Sequence, residues 1–363
     1  MGLTISRIPF RAWPAVLLTA LLAIALAAPS AEATTPSQKK AIWGPVEIGG
    51  NSQFPIYSDL GAGIYQYGVQ WDLTAPTKPA NAADPNDPAY QWPTDLDFAI
   101  SEAQKYGMQV AVMLTHAPRW ANGGHGPEYA PNSPKDYAQF AAAAAKRYPS
   151  VNLWLIWGEP TISSHWKPFN RKTVPRRYAA ILDAAYVALH KVRNSNKVIG
   201  GNTITNGQIK PGAFIREMRL KNGRPPRMDM YGHNPFSPRK PDLKQDPLKK
   251  DIADISDLDT LAGWLDHDLR DGKRNRHLKI FVSEWTIPTD HAGSLFGYWG
   301  DRQTVATYLS RALTITRKMK RVYTFGWFYL YDQPPSPGND EINWGLLTYD
   351  FLKKPAYYAY RAG

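Results

Sequence analysis

Hydrophobic and polar positions along this chain alternate between two periods. Short, apolar, β-prone runs fall at 41–48, 63–71, 108–116, 151–159, 197–204, 228–234, 278–285 and 322–331. Between them apolar residues recur at helical spacing, most clearly at 94–106, 134–147, 174–193, 258–269, 304–319 and finally 355–361. Strand and helix alternating along a whole chain predict a parallel sheet, because each parallel connection must return through a crossover. Eight strands with their helices predict an α/β fold, a (β/α)8 TIM barrel built as a single domain. An open, doubly wound sheet is the alternative, but no glycine-rich dinucleotide fingerprint follows the first strand. No period of about 20 to 50 residues repeats, which excludes a solenoid or propeller.

Two of the runs end alike. Leu-Trp-Leu-Ile-Trp-Gly-Glu-Pro (153–160) and Leu-Lys-Ile-Phe-Val-Ser-Glu-Trp (278–285) both stop at a glutamate beside a tryptophan. A charge at the end of a buried strand costs free energy unless it is paired or works. One such glutamate reads as a capped strand end; two in one α/β chain suggest a pair of catalytic carboxylates. Side chains alternate along a strand. Leu153, Leu155, Trp157 and Glu159 are therefore expected on one face, and Ile280, Val282 and Glu284 on another. The two carboxyls would then meet across the barrel mouth, where active sites of this fold lie. Long segments at 73–93, 117–133, 235–257, 288–301 and 332–345 follow the strands and are expected to build a cleft. They and their neighbours carry Trp92, Trp120, Tyr129, Trp166, Phe236, Phe296, Tyr298, Trp299 and Trp344.

Trp157-Gly158-Glu159-Pro160 and Ser283-Glu284-Trp285, placed on strands four and seven, resemble glycoside hydrolase clan A, the superfamily that includes families 5 and 39. The resemblance runs from the first strand to the final helix. It implies a retaining glycosidase with Glu159 as acid/base and Glu284 as nucleophile. By strand position it implies substrate contacts from His116, Trp157, Tyr231, His233, Trp285 and Trp327. Glu159 is expected to need a raised pKa, and Glu284 to stay ionised with a hydrogen bond from Tyr231. The implied partner is a β-linked oligosaccharide or polysaccharide, cleaved by double displacement with carboxyls about 5–5.5 Å apart; a gap of about 6.5–9.5 Å would mean inversion. One position departs from the clan pattern: the asparagine that binds the sugar 2-hydroxyl is Gly158. That contact is lost or moved, with Asn202 and Asn234 as the candidates. The departure keeps open a carbohydrate-binding barrel at the cell wall that does no catalysis. A transglycosidase is a further variant of the same first step.

Composition narrows this picture. Arg7 and Arg11, the apolar run 15–28 and Ala31-Glu32-Ala33 read as a signal peptide over 1–33, so the protein is expected to be secreted. Residues 34–40 read as a short linker and 41–363 as the catalytic domain. Cysteine is absent, which rules out disulfides, cysteine metal sites and a thiol nucleophile. The net charge is +12, concentrated at 219–227, 270–279 and 317–321, just before strands. Cations there suit helix C-termini; weak attachment to an anionic cell wall is the other reading. They follow no nucleic-acid recognition motif, so no nucleic acid is expected as a partner. Histidine spacing suggests no metal, 84–88 reads as a turn-rich loop, and no Gly-x-Ser-x-Gly elbow is present. A monomer without a cofactor is expected.

Overall fold

Among the described residues of the computed structural model, 35–363 apart from 273, 292–296 and 336–341, eight parallel strands close into a barrel. In chain order they are Ser37–Trp43, Ala62–Gln70, Gln109–Thr115, Leu153–Ile156, Lys197–Ile204, Met230–Asn234, Lys279–Trp285 and Val322–Trp327. They are numbered one to eight here. Each pairs with its sequence neighbours, and the first closes on the eighth through Ala41 and Gly326. Side-chain alternation divides the core into two layers. Ala41, Ile64, Ala111, Met113, Leu153, Leu155, Ile199, Met230 and Phe281 fill the barrel. Their neighbours Ile42, Val110, Val112, Trp154, Ile156, Ile280 and Val282 join the larger core with the helix residues. Fully burying such a side chain contributes about 1.5–3 kcal/mol, so the two layers together dominate stability.

The helices Thr94–Lys105, Pro134–Arg147, Val174–Val192, Leu258–Asp268, Arg302–Lys318 and Pro355–Ala362 lie close to the ranges expected from periodicity. Proline in the first turn fixes three of the starts, at Pro134, Pro175 and Pro355, since its missing N–H has no helical partner there. Asp301 caps another, accepting from the amides of Gln303 and Thr304.

Four strands differ from expectation, the eighth by ending at Trp327 instead of running on to 331. Strand one begins at Ser37 and ends at Trp43, so most of the polar stretch expected as a linker forms its first half. Lys40 is buried there, its ammonium 3.3 Å from the carbonyls of Arg361 and Gly363 at the end of the last helix. Gly44-Pro45 stops the strand, and the Tyr65 and Tyr57 hydroxyls take the two freed carbonyls at 2.7 Å each. Glu47–Ile48 instead pairs with Asn51–Ser52 as a separate antiparallel ribbon. Strands three and four stop at Thr115 and Ile156. The next residues, His116 and Trp157, both have φ of +60° and leave the strand conformation.

Beyond the strands, Lys354 forms a buried ion pair with Asp332 at 2.6 Å and donates to the Thr289 hydroxyl. This ties the segments after strands seven and eight to the final helix. In the basic stretches before strands six and eight, Arg224 pairs with Asp271, Arg227 with Asp183 and Arg321 with Asp266. The expected signal peptide lies outside the described residues. Among the described residues no helix is long and apolar enough to cross a membrane.

Candidate active site

The end of strand four is a tight, strained turn held by side chains from strands five and six. The Trp157 amide donates to the Leu114 carbonyl at 3.0 Å. The chain then takes left-handed φ at Trp157 (+60°) and Glu159 (+45°), conformations that cost a residue with a Cβ free energy unless the surroundings over-determine them. Here Asn202 does so: its amide nitrogen donates to the carbonyls of Ile156 at 3.1 Å and Trp157 at 2.7 Å. Asn202 sits at φ +46° itself. Trp157 does not share the barrel face of Leu153 and Leu155, because the turn swings its ring into the outer layer. There it packs against Tyr137 and Trp166 and donates its indole N–H to the His165 carbonyl at 2.8 Å. What remains at the mouth is Glu159. Its Oε1 accepts from Asn234 at 2.8 Å, and its Oε2 lies 3.2 Å from His165 Nδ1.

The end of strand seven reaches the mouth by a different route. Phe325 pairs with Val282, yet Trp327 pairs with Trp285. Three residues of strand seven therefore oppose two of strand eight, a β-bulge at Ser283 and Glu284. The Ser283 carbonyl turns to accept from Gln66 at 2.8 Å and from the Trp43 indole at 3.1 Å. Position 326 must be glycine, because a Cβ there would stand 2.0 Å from that carbonyl. Simple alternation with Ile280 and Val282 would have sent Glu284 outward with them; the bulge resets the phase.

Among the described residues no hydrogen bond reaches the Glu284 carboxyl. Burial, and then the negative charge of Glu159, push its pKa well above the usual carboxylate range. Glu284, expected to stay ionised, is therefore the member of the pair that its surroundings drive towards the neutral form. That the charge of Glu159 acts on Glu284 places the two glutamates in one site.

The other expected site residues divide sharply. Tyr231 and His233 are fully buried. The Tyr231 hydroxyl, expected on Glu284, pairs with Thr203 Oγ1 at 3.1 Å. Thr203 in turn lies 2.8 Å from His233 Nδ1, and His233 Nε2 lies 2.9 Å from the Ala253 carbonyl. Because that carbonyl only accepts, Nε2 carries the hydrogen, Nδ1 accepts from Thr203, and Thr203 accepts from Tyr231. This chain of hydrogen bonds holds the strand whose last residue, Asn234, grips Glu159. Burial lowers the His233 pKa to about 4. Trp285 and Trp327 are also fully buried, packed edge to face against each other, and neither offers a free ring face. His116 is half-buried, 3.9 Å from Asp72, and burial lowers its pKa.

Sequence reasoning missed several residues at the mouth. His165 carries no periodic or motif signal. Asp72 follows strand two and faces His116. Trp43, Gln66, Tyr67, Asp95 and Tyr329 line a crevice beside strands one and two, and Trp43 and Gln66 also hold the bulge. An aromatic ending strand one was the available signal. The aromatics of the long segments mostly pack inward: Trp92 stacks on Phe140, and Trp120 meets Trp71 edge to face. Phe296 lies outside the described residues. Both expected substitutes for the asparagine at position 158 have their amide nitrogens engaged, Asn202 on two carbonyls and Asn234 on Glu159, while the side-chain oxygen of each is buried without a partner. Asp84 and Asp87 accept from backbone amides at 86, 81 and 89 within their own loop. Among the described residues no group of three or more potential metal ligands is assembled.

No protein-family model and no curated protein matches this chain. Solved structures do. A family 39 glycoside hydrolase from the gut symbiont Bacteroides cellulosilyticus WH2 aligns with a TM-score of 0.65 at 20% identity, covering 92% of this chain and 64% of that one. A family 39 β-xylosidase from Caulobacter crescentus gives 0.61 at 18% identity, over 91% of this chain and 72% of the other. A glucosidase from Croceicoccus marinus gives 0.63 at 14% identity, over 91% and 67%. At these identities the likeness is one of fold: the chain is built on the (β/α)8 barrel found in family 39 glycoside hydrolases.

Proposed function

We propose that this protein is an exported glycoside hydrolase that cleaves a β-linked glycan with retention of configuration. One observation carries the reading: glutamates at the ends of strands four and seven lie near enough for the charge of one to act on the other, and Glu284 has no hydrogen bond among the described residues. A partly buried carboxyl without a hydrogen bond costs free energy to keep, and a structural role would have given it a cation or an amide. The likeness of fold to glycosidases supports the same conclusion.

The roles follow from the surroundings. Glu159, held by Asn234 and His165, gives its proton to the leaving oxygen as the bond from that oxygen to the anomeric carbon breaks. Glu284 attacks the anomeric carbon and forms a glycosyl ester. Glu284 reacts as the anion: its proton leaves for solvent before attack, and the positive charge developing on the sugar favours that anion against the pKa elevation. Water then attacks the anomeric carbon, Glu159 takes its proton, and the ester bond breaks.

Glu284→Gln should abolish turnover of an activated aryl glycoside, while azide should rescue Glu284→Gly with an inverted glycosyl azide. Full activity in Glu284→Gln would end this reading. Proton NMR of the first-formed sugar should show retained configuration; inversion would keep the residues and discard the covalent step. A panel of chromogenic glycosides and polysaccharides identifies the sugar. Gly158 favours a second reading, a glycan-binding barrel without catalysis. Calorimetric binding of an oligosaccharide that stays intact over days would select it.

A further inference from the structure

We propose that His165 is a positioning residue for Glu159, clamping one carboxylate oxygen and competing with that carboxyl for a proton. This rests on Glu159 being the acid/base. The geometry starts in the backbone. The Ile162 amide donates to the Glu159 carbonyl at 3.2 Å, and the amides of His165 and Trp166 donate to the Ile162 carbonyl at 3.1 and 3.0 Å. Two successive turns thus fold the chain back over Glu159. Buried tryptophans fix the fold-back on both sides, since Trp157 donates to the His165 carbonyl and Trp166 is fully buried against Trp157. The imidazole is different. Its side chain is 50% exposed while that of Glu159 is 12% exposed, so packing alone does not orient the ring. Its contact with Oε2 at 3.2 Å does. With Asn234 on Oε1 at 2.8 Å, both oxygens of the carboxylate are held and the plane of the acid is set.

The two donors differ in one respect that matters for catalysis. Asn234 is neutral at every pH, whereas His165 titrates. Glu159 raises its pKa, chiefly through the hydrogen bond, against the opposing effect of burial. The nearby titratable groups do not offer Glu159 another cation. His116 faces His165 from the end of strand three, and its own pKa is lowered, by burial first and with His165 contributing. Asp72 and Glu128 face His116 rather than His165, and Glu128 is paired with Lys167 at 2.8 Å. Of the two imidazoles, His165 therefore takes the proton first. A protonated His165 sets a cation against Oε2 of Glu159, and a neutral one does not.

The test separates this pair from the catalytic reading. In nitrogen-15 NMR, the His165 pKa in Glu159→Gln should fall by about 1 unit relative to the unaltered protein; an unchanged value overturns the proposal whether or not the protein turns anything over. If glycosides are hydrolysed, His165→Gln should lower kcat/KM about 10-fold for a glycoside with a poor leaving group, and less than about 3-fold for a dinitrophenyl glycoside that needs no proton. The basic limb of the pH profile should move to higher pH. Equal losses on both substrates with a fixed limb would assign His165 to loop packing and overturn the proposal. If no glycoside is hydrolysed by the unaltered protein, the catalytic reading fails and the NMR shift alone judges the pair.

Discussion

The two glutamates end strands of nearly the same composition, yet the protein treats them in opposite ways. Glu159 follows a turn with two left-handed residues and is gripped on both oxygens by Asn234 and His165. Glu284 sits in a bulge, has no hydrogen bond among the described residues, and is pushed towards its neutral form by burial and by its counterpart. On the proposed reading, one carboxyl is positioned and the other is left to react. An acid must hold its proton in a fixed direction, which demands donors and a rigid plane. A nucleophile must leave its solvation for a carbon atom, and strong donors would hold it back.

Replacing Glu284, which has no hydrogen bond among the described residues, should have the largest effect. Glu284→Gln is expected to lower kcat about 10⁴-fold or more even with an activated leaving group, while raising the melting temperature at neutral pH. The sign follows from linkage. With its folded pKa raised, the carboxyl favours the folded state below its unfolded value near 4.5, and that advantage is lost as pH rises through the folded value. The thermal gain should therefore vanish near pH 4; a destabilised Glu284→Gln at pH 7 would mean an unseen partner holds Glu284.

Glu159→Gln should discriminate between substrates. We expect a loss of about 10²–10³-fold with a poor leaving group and less than about 10-fold in glycosylation by a dinitrophenyl glycoside, measured by the burst. Equal losses on both would erase the distinction between the two carboxyls.

The support behind Asn234 is accessible through pH. His233 has its folded pKa lowered from 6.5 to about 4 by burial. The stability tied to its neutral form is complete above pH 6.5 and declines as pH falls towards 4, by about 3 kcal/mol in all. Urea titrations across that range should show the decline, and His233→Gln should flatten it.

The smallest effect is expected at Gly158. The nearest atoms to a Cβ there are the Met113 sulfur at 3.0 Å and the Thr115 methyl at 3.7 Å, and methionine yields readily. Gly158→Asn should change stability by less than about 1 kcal/mol. If 2-hydroxyl binding is the missing term, kcat/KM should rise for the true substrate and not for its 2-deoxy analogue.

The sequence by itself determined the architecture and the pair of glutamates. Period-two and period-3.6 apolar patterns are local properties, so eight strands and the main helices were readable, and a charge closing an apolar strand stands out wherever it occurs. It did not determine how the glutamates reach the mouth. Alternation placed Trp157 beside Leu155 and sent Glu284 with Val282, and both assignments fail because a left-handed turn and a bulge break the period. Those irregularities are held by Asn202, Gln66 and Trp43, which are distant in sequence. Nor did it separate the buried from the available: Tyr231, His233, Trp285 and Trp327 have the chemistry of ligand contacts, but Thr203, Ala253 and the outer core already engage them. His165 shows the converse. Its residue type was visible throughout, but its meaning depends on two turns that bring it back to 3.2 Å from Glu159. A carboxyl's pKa and its partners depend on distances between side chains, and only the closed barrel sets those.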